Sequence, residues 1–479
     1  MALEAQILTG LKWTAGARFG GQILTWAISI LVMRLLQPSD YGLVAMASVA
    51  LVFLNMFAEL GLGTALVQAA EARRDQLRQA QGIFILLNIG LCLLLNLAAP
   101  VLATLYAEPR LELILGVLSL QFLVVPLGVI CDVQLQRQLE YKQRSLIELS
   151  TAVVTSLCTL GMALSGAGVW ALVWPNIVGA LWRAVVLNLA SPFPYWPQFR
   201  LRGMRSLLTF GGIVTLSRFL WTFFTQVDVM IIGRVLGREV LGYYSVAMHL
   251  ATLPVQRVTA IINQVGFPAL ARIQEERQLL RSYLLRVVEM LSLIAIPILW
   301  GISATSREIV LVLLGAAWSN ASFPLQVLTL VMPFRTLVGF LPTVTDAIGR
   351  PEISMQNVIL GTVCMVPAFY IGSYWGILGI AMAWLLAYPV VLLLNAQRML
   401  KVLDLALPAM GPAVLRSTGC GAVMYLSVTA ARLALIDSVD KRVQLVAEVV
   451  VGALAYLGMT WTINRAALQG LFKFLGWNK

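Results

Sequence analysis

Apolar residues recur along this chain in runs of about twenty, separated by short polar stretches, from its first tens of residues to its last. A run of that length matches the thickness of bilayer hydrocarbon that one helix must cross. The runs predict spans at 14–36, 41–66, 83–105, 111–133, 146–165 and 168–190 in the first half. The second half predicts spans at 207–232, 240–264, 283–304, 322–345, 354–375 and 377–398, and two more follow at 412–434 and 444–464. The fold class is thus an all-α polytopic membrane protein with about 14 transmembrane helices. Residues 305–321 stay open between the beginning of a span and a short re-entrant turn.

Composition agrees with this pattern. The 479 residues are 59% hydrophobic and 12% charged, with a mean hydropathy of +0.86; a soluble domain is nearer half apolar and a quarter charged. The net charge of +12 sits in short loops between apolar runs rather than in an aromatic-interleaved patch. That distribution argues for positive-inside anchoring and against a nucleic-acid partner. One set of alternate loops holds Arg73, Arg74, Arg78, Arg137, Lys142, Arg144, Arg200, Arg202, Arg205, Arg272, Arg277, Arg281 and Arg286, among others, while the opposite set is sparse. The asymmetry predicts that both termini are cytoplasmic.

Several kinds of chemistry find no residues to carry them. The five cysteines lie in or beside apolar runs with no CxxC pair, so neither a disulfide framework nor a zinc site of the usual spacing is expected. His249 is the only histidine and no GxxxxGK occurs, which removes HExxH metalloproteases and P-loop ATPases. His249 itself reads as a satisfied polar residue between helices more readily than as a proton carrier. The N-terminus lacks a basic n-region with a small-residue cleavage site, so the first apolar segment is expected to be retained. No connection is long enough to house a second-substrate domain, which argues against an enzyme and against any bound cofactor.

The two halves repeat. With an offset of 200 residues, Arg18-Phe19 meets Arg218-Phe219, Thr25 meets Thr225, Arg34 meets Arg234, Gly42 meets Gly242 and Ala47 meets Ala247. The run opening at Gly168 resembles in position the run opening at Gly379. Six spans per half return the chain to the same side, so the repeats would be parallel, related by an axis along the membrane normal. The expected domains are an N-lobe over 1–199, a C-lobe over 200–405 and two C-terminal helices over 406–479. In this frame "RLLQPSDYG", Arg34 to Gly42, is an outer turn, with Pro38 and Gly42 dividing two helices and Arg34 anchoring the interface.

Charges inside the spans are the candidate chemistry, because a charge at membrane depth is costly and normally faces a cavity or a partner. Arg18 and Arg218 hold equivalent depths in the first and seventh spans and would point toward the axis between lobes. A guanidinium suits bidentate phosphate binding, and Gly16, Gly20 and Gly21 permit close approach. Asp228 is a candidate for proton or sodium coupling and equally for structural pairing. Glu59, Arg257 and Asn263 are candidates for a cavity mouth, while Arg183, Glu289 and Arg335 read as buried pairs or anchors.

The R-x-L-x-P-x-D-Y-G turn of Arg34 to Gly42, the aspartate before "IIGRVLG", "LGYYSVA", "FPALARI", "LLGAAW" and "GILGIAMA" resemble the polysaccharide transporter family over roughly residues 1–400. Its Wzx-like members belong to a larger group that also holds multidrug exporters of the MATE type and the lipid II flippase MurJ. The resemblance implies a V-shaped molecule of two six-helix lobes. It implies flipping of a polyprenyl-diphosphate-linked oligosaccharide from the cytoplasmic to the periplasmic leaflet of a bacterial inner membrane, for exopolysaccharide, colanic-acid or capsule-type pathways. Membrane lipid and other polysaccharide synthesis proteins would be its partners. The family's cationic cavity maps most naturally onto Arg18 and Arg218. Two other functions stay open at this point: a cation-coupled small-molecule antiporter of the MATE type, and a non-transporting scaffold of a synthesis complex.

Overall fold

The computed structural model describes residues 21–22, 24–59, 66, 74–193, 195–199, 205–272, 276–405, 407–435 and 440–465. For Glu59, 205–218, 256–272 and a few later positions the backbone alone is described. Among the described residues the structure is helical throughout, without strands, as lipid demands of a backbone that must satisfy its own hydrogen bonds.

The chain divides into two compact units, Met1–Gly242 and Tyr243–Lys479. In the first lie α1 (Leu24–Leu35), α2 (Pro38–Glu59), α3 (Arg74–Tyr106), α4 (Arg110–Ser119), α5 (Gln121–Val124), α6 (Pro126–Arg137), α7 (Tyr141–Leu164), α8 (Trp170–Ala190) and α9 (Arg205–Val235). Helix α10 (Gly237–Arg272) starts in this unit and continues into the second. The second unit then holds α11 (Arg277–Ala304), α12 (Ser306–Ile309), α13 (Ser322–Ala347), α14 (Pro351–Ser373), α15 (Gly376–Val402), α16 (Gly411–Leu435) and α17 (Lys441–Ile463).

Where they are described the predicted spans fall on helices, the first from residue 24 onward and the second to residue 59; residues 60–65 lie outside the described residues. Among the described residues ten helices are long and apolar enough to cross a membrane. The predicted span 111–133 is broken: α4–α5 and α6 meet at 45°, where Pro126 begins a new helix at its first position. The open region 305–321 is neither a span nor an extended loop. It is the single turn α12, a wider π turn over Val310–Leu314, Gly315 at φ +98°, and a 3-10 turn over Ala316–Ala321 leading into α13.

Local chemistry sets the helix ends. Pro38 opens α2 at a position whose missing N–H costs nothing. The Gln37 N–H donates to Asp40 Oδ2 at 3.2 Å, so Asp40 reaches back over the first turn. Arg34 and Arg234 are both exposed at their helix ends, as anchors would be. Within spans, Ser and Thr hydroxyls donate to carbonyls one turn back, as Thr25 does to Gly21 O and Thr329 to Leu325 O.

Polar side chains join the helices of each unit. In the first, Asn88 on α3 donates to Ala58 O on α2 at 3.0 Å, and Asn96 donates to Ser119 Oγ on α4 at 2.7 Å. In the second, α11 packs against both α13 and α16. There Trp300 Nε1 donates to Leu330 O at 3.1 Å, and the Tyr456 hydroxyl on α17 donates to Leu293 O at 2.9 Å. All five cysteines are free.

Candidate functional site

Asp228 is the predicted site residue whose surroundings are described. It sits on α9 at 4% exposure, and its Oδ1 accepts the Val229 N–H at 2.8 Å. A carboxylate so thoroughly removed from solvent fits either reading given to it, pairing or ion exchange. Arg18 lies outside the described residues. Arg218 is on α9, Glu59 closes α2, and Arg257 and Asn263 are on α10, but all four side chains lie outside what is described.

Just beyond the C-terminal end of α9 the first unit carries a tight ion pair. Arg238 Nη1 donates to both carboxylate oxygens of Glu108 at 2.9 Å. Glu108 follows α3 directly, so the pair ties the corner between α9 and α10 to the corner between α3 and α4.

Elsewhere in the first unit, α6, α7 and α8 line an open polar cavity of about 360 Å³. Asp132 is its hub. Arg144 Nε donates to Asp132 Oδ1 at 2.9 Å, Gln136 Nε2 to Oδ2 at 3.0 Å and Arg183 Nη2 to Oδ2 at 3.4 Å. Two guanidiniums on one carboxylate leave the cluster with one positive charge, and Arg183 keeps part of its fork toward the opening. Arg183, read from the sequence as a buried pair or an anchor, is paired here but half-exposed.

In the second unit the predicted pairing of Arg335 is not found. Arg335 stands at the middle of α13, half-buried, with its guanidinium carbon 5.0 Å from the centre of the Trp384 ring on α15. Its Nη1 approaches Met248 Sδ on α10 at 3.9 Å. Among the described residues no carboxylate neutralises it. The ring that supports it is itself fixed: Trp384 Nε1 donates to the Tyr244 hydroxyl at 2.8 Å, and Phe369 and Tyr388 pack on Trp384 at 5.3 and 5.2 Å. A cation held by a ring face, rather than by an acid, keeps its N–H donors for another acceptor. His249 on α10 is exposed rather than set between helices, because the α10 face that carries Tyr244 and Ala251 inward turns position 249 outward.

Residues 31–323 match the model of a family described as polysaccharide biosynthesis protein. The chain belongs to that family. It is a multi-pass membrane protein. It is similar to the teichuronic acid biosynthesis protein TuaB of Bacillus subtilis (strain 168), at 27% identity over 363 residues and 74% of each chain. It is also similar to the lipopolysaccharide biosynthesis protein WzxC of Escherichia coli (strain K12), at 25% identity over 408 residues, 84% of this chain and 82% of that one. Among solved structures, the lipid II flippase MurJ in an inward closed conformation shares its fold, with a TM-score of 0.75 and 15% identity over 95% of this chain and 99% of that one. An inward-facing multidrug resistance MATE family transporter matches with a TM-score of 0.61 and 15% identity over 80% and 95%.

Proposed function

We propose that this chain carries a polyprenyl-diphosphate-linked oligosaccharide from the cytoplasmic to the periplasmic leaflet of a bacterial inner membrane, as one step in making an exported polysaccharide. One observation carries the reading: a chain built of membrane-crossing helices belongs to a family of polysaccharide biosynthesis proteins. A relative that it matches over 79% of its length is the succinoglycan biosynthesis transport protein ExoT of Rhizobium meliloti (strain 1021). The fold it shares with a lipid II flippase supports a lipid-linked substrate.

The substrate sets the chemistry. A diphosphate crossing low-dielectric space needs cations without their own counter-ions along its path. Arg18 and Arg218 are the residues proposed to receive it, and Arg335, supported by Trp384 rather than by an acid, is proposed as a further contact. The sugar would occupy an aqueous cavity while the prenyl tail stays in lipid. Alternating access would proceed by movement of one lobe, 1–199, against the other, 200–405, with both termini cytoplasmic. An inside-negative potential favours anion export by about 2.3 kcal/mol per charge per 100 mV, so a doubly charged diphosphate gains roughly twice that. The unneutralised arginine favours this anionic substrate over the organic cations of a drug antiporter.

The test is mass spectrometry of lipid extracts from cells with and without the protein. Loss of the protein should cause one polyprenyl-diphosphate oligosaccharide to accumulate, shielded from externally added glycosidase. Unchanged lipid-linked pools, with polymer still exported and no second flippase present, would refute the reading.

A further inference from the structure

Two carboxylates at one end of the second unit have no part in the proposed transport path. Glu308 lies on α12, the single turn that follows α11, and is 3% exposed. Glu448 lies on α17, two turns from its beginning, and is 0% exposed. Helix α17 packs against both α12 and the π turn Val310–Leu314. The broken segment and the last helix therefore bring two buried acids to one place.

Among the described residues neither acid is in direct contact with a cation, and the nearby charges are turned to other partners. Glu448 Oε1 accepts from Gln444 Nε2 at 2.9 Å, and Gln444 Oε1 accepts from Lys441 Nζ at 2.9 Å. The lysine charge is thereby held one residue away from the acid. Arg432 on α16 acts on the same cluster, but its Nη1 donates to the backbone carbonyl of Ala304 at 3.3 Å. Among the described residues Glu308 Oε2 and Glu448 Oε2 are both buried with no hydrogen-bond partner. Each buried carboxylate thus keeps one oxygen without a partner, and two like charges gathered in one buried place are costly unless a cation is shared between them. π turns are themselves uncommon and often mark functional sites.

We propose that Glu308 and Glu448 hold a single monovalent cation, a proton or a sodium ion, between their orphaned oxygens, and that it fastens the C-terminal helix pair α16–α17 to the rest of the second unit. The carboxylates supply acceptors to either ion, Gln444 orients Glu448, and Lys441 and Arg432 limit the site to one positive charge. Helix α17 also touches α11 through Tyr456, so binding at Glu448 is communicated to a central helix of the unit.

Thermal unfolding of the purified full chain in detergent tests this, and it does not depend on whether the chain is a flippase. Wild-type protein is compared at mildly alkaline pH in choline chloride and in sodium chloride, and again at mildly acidic pH in choline chloride. A sodium site raises the midpoint by several degrees on adding sodium. A proton site raises it by several degrees on acidification alone. Glu308→Gln with Glu448→Gln should lose whichever response the wild type shows, and Glu448→Gln by itself should lose most of it if the double variant does not purify. A wild-type midpoint indifferent to both conditions would overturn the proposal, and so would an equal response in the variants.

Discussion

Gly42 and Gly242 pack against each other's helices in exchange. A Cβ built on Gly42 would overlap the carbonyl oxygen of Arg238, and a Cβ built on Gly242 would overlap the carbonyl oxygen of Pro38. Pro38 and Arg238 are themselves 200 positions apart, as the two glycines are. One contact is therefore made twice, by equivalent residues in opposite roles, and it holds α2 against the corner where α9 gives way to α10. Backbone meets backbone there, so no side chain at either position can rotate out of the way.

Gly42→Ala and Gly242→Ala should each destabilise the protein by about 1–3 kcal/mol, the usual cost of overpacking a filled site. Gly90 on α3 is the control: nothing lies within 4 Å of its added Cβ, and Ala there should be neutral or mildly stabilising. Thermal unfolding in detergent checks all three. Similar behaviour of Gly42→Ala and Gly90→Ala would contradict the close approach.

Arg335 makes a second test, this time of activity. Replacing it with Ala removes charge-assisted donors worth about 1.5–3 kcal/mol, so transport of the lipid-linked glycan should fall by roughly tenfold to a hundredfold. Trp384→Leu removes the ring face beneath the guanidinium, worth about 0.5–2 kcal/mol, and should reduce transport less. Arg335→Lys keeps the charge but loses the planar fork, and should fall between the two. Flipping assayed at matched protein levels decides the matter; wild-type rates for Arg335→Ala would remove this residue from the path.

How much of this was legible in the sequence depends on the range of the interaction. Apolar runs marked the long helices, because a helix in lipid must satisfy its hydrogen bonds within about twenty consecutive residues, but not the break at Pro126 or the short turns over 306–321. The 200-residue offset matched Gly42 with Gly242, and these two do meet in one reciprocal contact. The turn glycines behave differently. Gly168 and Gly376 both open a helix hairpin with positive φ, +57° and +66°, so the partner of Gly168 in that role is Gly376 rather than the Gly379 that the run alone suggested. The charge clusters were hidden. Asp132, Arg144 and Arg183 are separated by 12 and 39 positions, and Glu308 and Glu448 by 140, so only the fold shows that they meet. Their one sequence signal is isolation: Asp132 in "ICDVQ" and Glu448 in "LVAEVVV" are lone acids within apolar runs.

The Asp132 hub predicts an asymmetry between its members. Asp132→Ala strands two guanidiniums beside one cavity and should cost about 1.5–3 kcal/mol of stability. Arg183→Ala removes a half-exposed partner at 3.4 Å and should cost only about 0.2–1 kcal/mol. Combining the two should cost less than the sum, because the carboxylate's loss already frees Arg183. Additive effects in unfolding measurements would mean that the two side chains do not act on one another.

Topology offers a test that is independent of substrate. Ser165 is exposed in the turn between α7 and α8, and Gln138 is exposed in the turn between α6 and α7, at opposite ends of α7. With both termini cytoplasmic, the first turn faces the periplasm and the second the cytoplasm. Because all five native cysteines are free, they must first be replaced to give a silent background. Ser165→Cys should then react with a membrane-impermeant maleimide in intact spheroplasts, and Gln138→Cys should react only after the membrane is opened. The reverse pattern would invert the molecule, turning the arginine-rich loops outward, and with it the proposed direction of transport.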